Sequence, residues 1–474
     1  MYTARSVRAH VATAFMVVLL ASRTAPAALA PEDPLPVDPE LIRGVLPNGV
    51  RYWIAPNHRV GDAAVWMKMD VGSLYEEAGE EGLAHFVEHM AFRGTEHHPH
   101  DSVTRHLESL GLTVGSDQNA VTTLRGTTYK LNLPTGAAGG IADALTVLAD
   151  FAFRRAATPG DVARERPVIL EELRSSETPA NRLDNDLFET IFAGTRTAGH
   201  LPLGRARVIE NATLASIQSF VTRWYRPERT TVIVTGDVDP GAVVTLIERE
   251  FGAFGATTPA PTEPSSLAGL RDVARTIVTR DAEQTDAQVR IIDVEPLRPI
   301  LTVGDLERDL ARRVAFRLVD ERLRDAADSG APFESAFVET ISSVGGAVRE
   351  EIVRGATKAS QWPRLVTALP SAIEDMTRSG FTPEELEVAR RALLTDARSR
   401  AALAPTRPAA VRAADLSASV SAGERPLSAA DCLPLYEALL PLIDPAPNRW
   451  TVSLRCLSCL PLCNGLEDGG RLSA

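Results

Sequence analysis

HFVEHMAFRGTEHH, residues 85–98, sets two histidines four apart with a glutamate immediately before the second. The stretch from Glu81 to Phe92 contains no proline, and Gly94 offers a stop. Leu83, Phe86, Val87 and Met90 recur at helical spacing, so the segment reads as an amphipathic helix. On that helix His85 and His89 lie one turn apart on the same side. Two neutral imidazoles so placed can hold one Zn²⁺. Glu88, three residues from His85, is close enough to that face to reach a metal-bound water. The pattern is H-x-x-E-H, the reversal of H-E-x-x-H. Spacing alone leaves two readings open, a metal helix and an ordinary pair of solvated or core histidines.

A catalytic zinc takes three protein ligands and one open position. DVARERPVILEELRSSE, residues 161–177, is the best source of the third. Glu165 and Glu172 are two helical turns apart and share a face, whereas Glu171 points away from it. Pro167 removes a helix N–H and is expected to kink the segment. The plain alternative is a solvated charged helix. His97, His98 and His100 fall past Gly94 and read as loop surface; His58, His106 and His200 receive no role.

The chain has 474 residues, 44% hydrophobic and 24% charged, with a net charge of −12. At roughly 100–200 residues per domain it holds about two to four domains. The acidic balance argues against nucleic acid as a partner, because phosphate binding wants a basic face. At the N-terminus Arg5 and Arg8 precede an apolar run from Val11 to Ala21, too short to span a bilayer. This is the layout of a secretory signal with cleavage after Ala27, which places the mature chain in the periplasm or outside the cell with no stable membrane span. Cysteine is absent until Cys432; Cys456, Cys459 and Cys463 follow in the tail. A body without cysteine does not depend on disulfides. The tail spacing lacks the fourth ligand that a structural metal needs.

Two blocks follow the signal at residues 1–27. The first, residues 36–254, opens with GVLPNGVRYWIAPN, an alternation around Asn48-Gly49 that reads as a hairpin. DAAVWMKMDVGS, TTYKLNLP and RTTVIV read as further strands. Residues 255–269, rich in Pro, Ser, Thr and Gly, form a linker. The second block, residues 270–447, repeats the mixture: strands at AQVRIIDV, FESAFVET and GGAVREEIV, and a long helix over Val303–Ala326. It contains no histidine, and its one tyrosine is Tyr436. Residues 448–474 form an atypical tail. Both blocks read as α+β, with strands and helices in runs rather than in strict βαβ alternation.

GLAHFVEHMAFRGTEHHP resembles the active-site helix of the pitrilysin or insulinase family, the inverzincins, and is closest to its exported bacterial zinc peptidases. ERPVILEEL resembles the family's downstream E-R-x-V-x-x-x-E segment. GSDQNAVTTLRGTTYKLNLP resembles the strand lining the family's cleft, and WYRPERTTVIVTGDVD the strand closing its first domain. The likeness spans Leu46 to Ile443. It implies two homologous-type domains, each a mostly antiparallel sheet packed against helices. It implies Zn²⁺ held by His85, His89 and Glu172, with Glu88 as general base and Glu165 as a carboxylate orienting a ligand. It implies that Asn119 and Ala120 sit on a strand that pairs with extended peptide substrate. The family's working unit has four such domains, and the half opposite the zinc contributes an Arg and a Tyr. This chain has two, and Tyr436 does not resemble that element. The resemblance thus implies a zinc endopeptidase half that needs a homologous subunit lacking H-x-x-E-H. The alternative is a non-catalytic or shortened homologue that binds peptide or a partner without turnover.

Overall fold

The computed structural model describes residues 29–443 except 59–60, 101, 135–139, 256–258, 260 and 271–274. The segment read as an export signal and the cysteine-bearing tail lie outside the described residues.

The first block builds a six-stranded sheet from β1 (Ile42–Val45), β2 (Arg51–Pro56), β3 (Ala63–Met69), β4 (Gln118–Thr122), β5 (Thr127–Leu133) and β6 (Thr230–Gly236). The strand order is β1-β2-β6-β3-β5-β4, with β2 and β6 parallel and every other neighbouring pair antiparallel. Asn48-Gly49 turns β1 into β2, with Gly49 at φ 97°, a conformation that favours glycine. β5 buries Thr127, Tyr129, Leu131 and Leu133 and leaves the intervening residues half-buried, the period-2 pattern of a strand with one core face. The central strands β3 and β6 are buried along their whole length, so both faces of the sheet are covered there.

The two coverings come from distant parts of the chain. Val65, Met67 and Met69 face the main core, which includes the helices Leu83–Ala91 and Gly140–Phe153. Ala64, Trp66 and Ile233 face the other way, onto Ala409, Ala413 and Leu416 of the helix Ala409–Ala422. That helix falls within residues 270–447, the span assigned above to a second domain, yet it packs on the first sheet. Near the other end of the chain, Leu35 packs into the second core and Pro34 bridges Thr302.

The second sheet has three antiparallel strands, β7 (Asp286–Pro296), β8 (Ser335–Ser343) and β9 (Val348–Lys358), in the order β7-β9-β8. Its core gathers Leu310, Val314 and Leu318 of the helix Val303–Asp328 with Leu365, Leu369 and Ile373 of Trp362–Ser379. Tyr436 is buried in this core. The fold class is therefore α+β, two mostly antiparallel sheets backed by helices.

Pro167 does not end its helix: Pro159–Ser176 runs through it. The lost hydrogen bond is one among many in a long helix whose start is secured by Pro159 and a Thr158–Asp161 capping box.

Leu416 is fully buried under the first sheet. Leu416→Ala should cost about 2–5 kcal/mol of unfolding free energy, read by urea denaturation. A loss well under 1 kcal/mol would show that the covering helix is dispensable.

Candidate metal centre

The helix Leu83–Ala91 starts without a capping side chain, at Gly82 with φ 106°. Gly204 crosses it so closely that a Cβ there would lie 2.2 Å from the Gly82 Cα. Only glycines permit this approach. The helix start is served from outside instead: the buried Glu76 carboxylate accepts from Ala84 N–H at 2.8 Å. An anion at a helix N-terminus is favoured by the aligned peptide dipoles. Burial nonetheless pushes the Glu76 carboxyl well above its ordinary range.

The residue after Ala84, His85, carries the first of two imidazoles, which converges with that of His89. The Nε2 atoms of His85 and His89 are 3.1 Å apart, with the rings nearly perpendicular at 85°. Glu172 Oε2, from the helix Pro159–Ser176, lies 3.3 Å from His89 Nε2 and 3.7 Å from His85 Nε2. Ligand atoms held tetrahedrally at about 2.0–2.1 Å from one Zn²⁺ would stand about 3.3 Å from each other. The three separations thus suit one small divalent ion, and an N₂O donor set suits zinc. Among the described residues these three form the one His/Cys/Asp/Glu cluster with such convergence.

The surroundings prepare each ligand differently. Burial, joined by the neighbouring His89, pulls His85 down to about 4, so its imidazole is neutral and free to coordinate near pH 7. Its buried Nδ1 has no hydrogen-bond partner among the described residues. Burial also acts to lower His89, but the Glu165 hydrogen bond at 2.7 Å and the nearby carboxylates outweigh it and raise the group. Glu165 is itself nearly fully buried. Its desolvation is outweighed by hydrogen bonds from His89 and Arg93, which hold it below the usual carboxylate range. Glu172 is half-exposed.

Glu88 is buried beside the cluster, and burial raises its carboxyl. Its Oε2 accepts from the Thr122 hydroxyl on β4, which partly offsets that rise. Thr122 and Arg93 were both missed in the sequence. Each acts through a contact that joins separate elements; Arg93 does continue the four-residue spacing of His85 and His89, but that spacing does not name its partner.

β4 is the last strand of its sheet and pairs with β5 alone among the described strands. Alternation puts Ala120 on the same face as Thr122, toward the metal-site helix. Asn119 turns to the opposite face, where its amide donates to Gly115 O at 3.0 Å and its carbonyl accepts from Ala120 N–H. The loop histidines do not join the cluster: His97 pairs with buried Asp150 at 2.9 Å, and His98 stacks on His106. Glu171 points outward to Arg174.

Comparison with known proteins gives the same frame. Residues 54–202 match the family model "Insulinase (Peptidase family M16)", and residues 211–295 match "Peptidase M16 inactive domain". The Probable zinc protease PqqL of Escherichia coli K12 is 29% identical over 394 residues, 80% of this chain and 41% of that protein. An uncharacterized zinc protease of Mycobacterium bovis is 30% identical over 251 residues, 52% of this chain and 56% of that protein. The crystal structure of the first half of the periplasmic protease PqqL from Escherichia coli superposes with a TM-score of 0.80 at 24% identity, covering 90% of this chain and 92% of that one. Against the whole of PqqL the TM-score is 0.79 and 47% of that chain is covered. The structural likeness carries the fold. In length, the chain spans about two fifths of the PqqL relatives it matches.

Glu172→Gln should severely weaken zinc retention, whereas Glu171→Gln should leave it unchanged, since only Glu172 faces the histidines. Metal content after equilibrium dialysis decides this. Equal loss in both variants would defeat the assignment.

Proposed function

The chain is a member of the insulinase family of peptidases, M16, an insulinase-type domain followed by the family's inactive domain, and on that premise we propose that it is the metal-bearing half of an exported zinc endopeptidase acting on peptides or unfolded segments. The observation carrying this reading is the convergence of His85, His89 and Glu172 on one point with the buried carboxylate of Glu88 beside it. When bound by these residues, zinc supplies Lewis acidity: it polarises a carbonyl and makes water acidic near neutral pH.

The remaining chemistry belongs to the chain. Glu88 accepts the proton of the attacking water and returns it to the leaving nitrogen. The Thr122 hydroxyl occupies Glu88 Oε2, which leaves Oε1 for the proton. Burial raises the Glu88 carboxyl and so favours its carrying that proton between the two steps. Glu165 holds the His89 ring through Nδ1. The outer edge of β4 offers backbone N–H and C=O groups to an extended peptide, with Ala120 turned toward the metal side and Asn119 shaping the strand through its bond to Gly115.

Export is supported by the N-terminal apolar run. Among the described residues no helix is long and apolar enough to cross a membrane. We assign the peptidase domain to residues 36–254, the linker to 255–269 and the inactive domain to 270–447, with the helix Ala409–Ala422 lent back to the first sheet.

A second reading has its own support. The chain matches only the first half of its structural relative, and Tyr436, the one tyrosine of the second block, is buried in a core rather than offered to substrate. A complementary homologue lacking H-x-x-E-H would then complete the chamber, and this chain alone would bind peptide without turning it over.

Glu88→Gln should retain zinc and abolish hydrolysis, because an amide keeps the shape but is no base. More than a few per cent of wild-type peptidase activity in this variant would remove Glu88 from the role. The zinc-loaded chain by itself should cleave peptides poorly, since placement of reactants accounts for up to about 7–11 kcal/mol of a barrier and an open half leaves substrate mobile. Activity is to be measured across chain concentration, with and without a co-exported homologue lacking the motif. Efficient cleavage by a proven monomer would overturn the need for a second half.

A further inference from the structure

Beyond the metal ligands and the base, the centre contains a cation with no assigned part. Arg93 lies just past the C-terminal end of the helix that carries both histidines, its N–H bonded to Met90 O at 3.2 Å. Its guanidinium Nε donates to Glu165 Oε2, while the other oxygen, Oε1, takes His89 Nδ1 at 2.7 Å. His89 and Arg93 are four residues apart, so one helix end grips both oxygens of a single carboxylate. That carboxylate belongs to the helix Pro159–Ser176, the element that also brings Glu172.

We propose that Arg93 is a positioning residue for the metal: by fixing the second oxygen of Glu165 it sets the carboxylate plane that aims His89 Nε2 at the ion, and it locks the Glu172-bearing helix to the histidine-bearing one. The terminal torsion of a glutamate is broad, so a carboxylate held by one donor swivels. Two donors on its two oxygens define a plane. Nε of arginine donates in the plane of a rigid group, which makes the fixing directional in a way a lysine ammonium is not. Glu165 is almost wholly buried and water does not replace a lost donor there. With Arg93 gone, the orphaned oxygen must turn toward another donor and draw Oε1 off His89. Partners that orient a metal ligand from behind typically change metal affinity 10–100-fold when removed.

This inference rests on the reading that His85, His89 and Glu172 hold zinc, and the test separates the two. Zinc affinity of wild type, Arg93→Met and Arg93→Lys is measured by competition with a chromophoric chelator. Thermal melting of the metal-free forms and visible spectra of the Co²⁺-loaded forms are recorded alongside. Arg93→Met should bind zinc 10–100-fold more weakly, with Arg93→Lys between it and wild type, and the Co²⁺ bands should shift while the metal-free melting point moves little. If Arg93→Met proves unfolded, the affinity and spectrum of Arg93→Lys carry the decision. Zinc affinity within twofold of wild type and an unchanged Co²⁺ spectrum would overturn the inference and leave the zinc reading standing. A wild type that binds no zinc would sink both.

Discussion

A buried carboxylate between two helices is the contact on which the centre depends. Glu165 ties the histidine-bearing helix to the glutamate-bearing one at the point where Glu172 meets His85 and His89. Burying a carboxylate is expensive unless its oxygens are paired and hydrogen-bonded. Glu165 meets that condition with His89 on one oxygen and Arg93 on the other. The second helix is further pinned by Arg166, which donates to Ile209 O and Ala212 O at 3.2 and 2.8 Å. Beneath the histidine helix, half-buried Arg155 reaches Val87 O and the Tyr129 hydroxyl and stacks on Tyr225. The centre is thus fixed by charged side chains placed inside a packed body, in front of a sheet whose central strands are buried.

The burial of that sheet has two sources. β3 and β6 are buried on both faces, which needs a layer on each side. One layer is local and includes the metal helix. The other is the helix Ala409–Ala422, which comes from far along the chain. Thr235 and Asp62 anchor it through bonds to Ala409 O and Ala409 N–H. The first sheet is therefore not a self-contained product of the first block. The second block supplies part of its cover, and Val344 and Val348 from the start of β9 and the turn before it enter the first core as well.

Much of this was legible in the sequence, for definable reasons. Hydrophobic periodicity located the strands around Asn48-Gly49, DAAVWMKM and TTYKLNLP, since each has one or both faces in a core. Helical phase brought His85 and His89 together and separated Glu172 from Glu171; the resemblance supplied the pairing of the two helices. What stayed hidden has a common character. Thr122, Glu76 and Arg93 act through contacts between elements, and no periodicity on a single element reports those. Pro167 lies inside one continuous helix, Pro159–Ser176, whose start a capping box secures. Asn119 and Ala120 are adjacent in sequence but face opposite sides of β4, because a strand alternates where a motif does not. The helix Ala409–Ala422 reads as amphipathic in isolation, and nothing in it says which of two sheets it will cover.

The charge balance at the centre points to how metal and fold are coupled. Glu88, Glu165 and Glu172 bring three carboxylates to one small region, and of these Glu165 is bonded to both Arg93 and His89. His85 is held neutral by burial, so it contributes no compensating charge near pH 7. Glu172 on one helix acts to raise the Glu88 carboxyl on the other, so these two carboxylates oppose each other across the cluster. A divalent cation held beside them would offset that repulsion. Ligand that binds only the folded form adds stability as RT ln(1 + [L]/Kd), about 2.7 kcal/mol at a hundredfold excess over Kd. That increment would fall on the junction of the helices Leu83–Ala91 and Pro159–Ser176, because those two elements carry the three proposed ligands. On that proposal one ion ties the two helices together, so occupancy and local order would rise together.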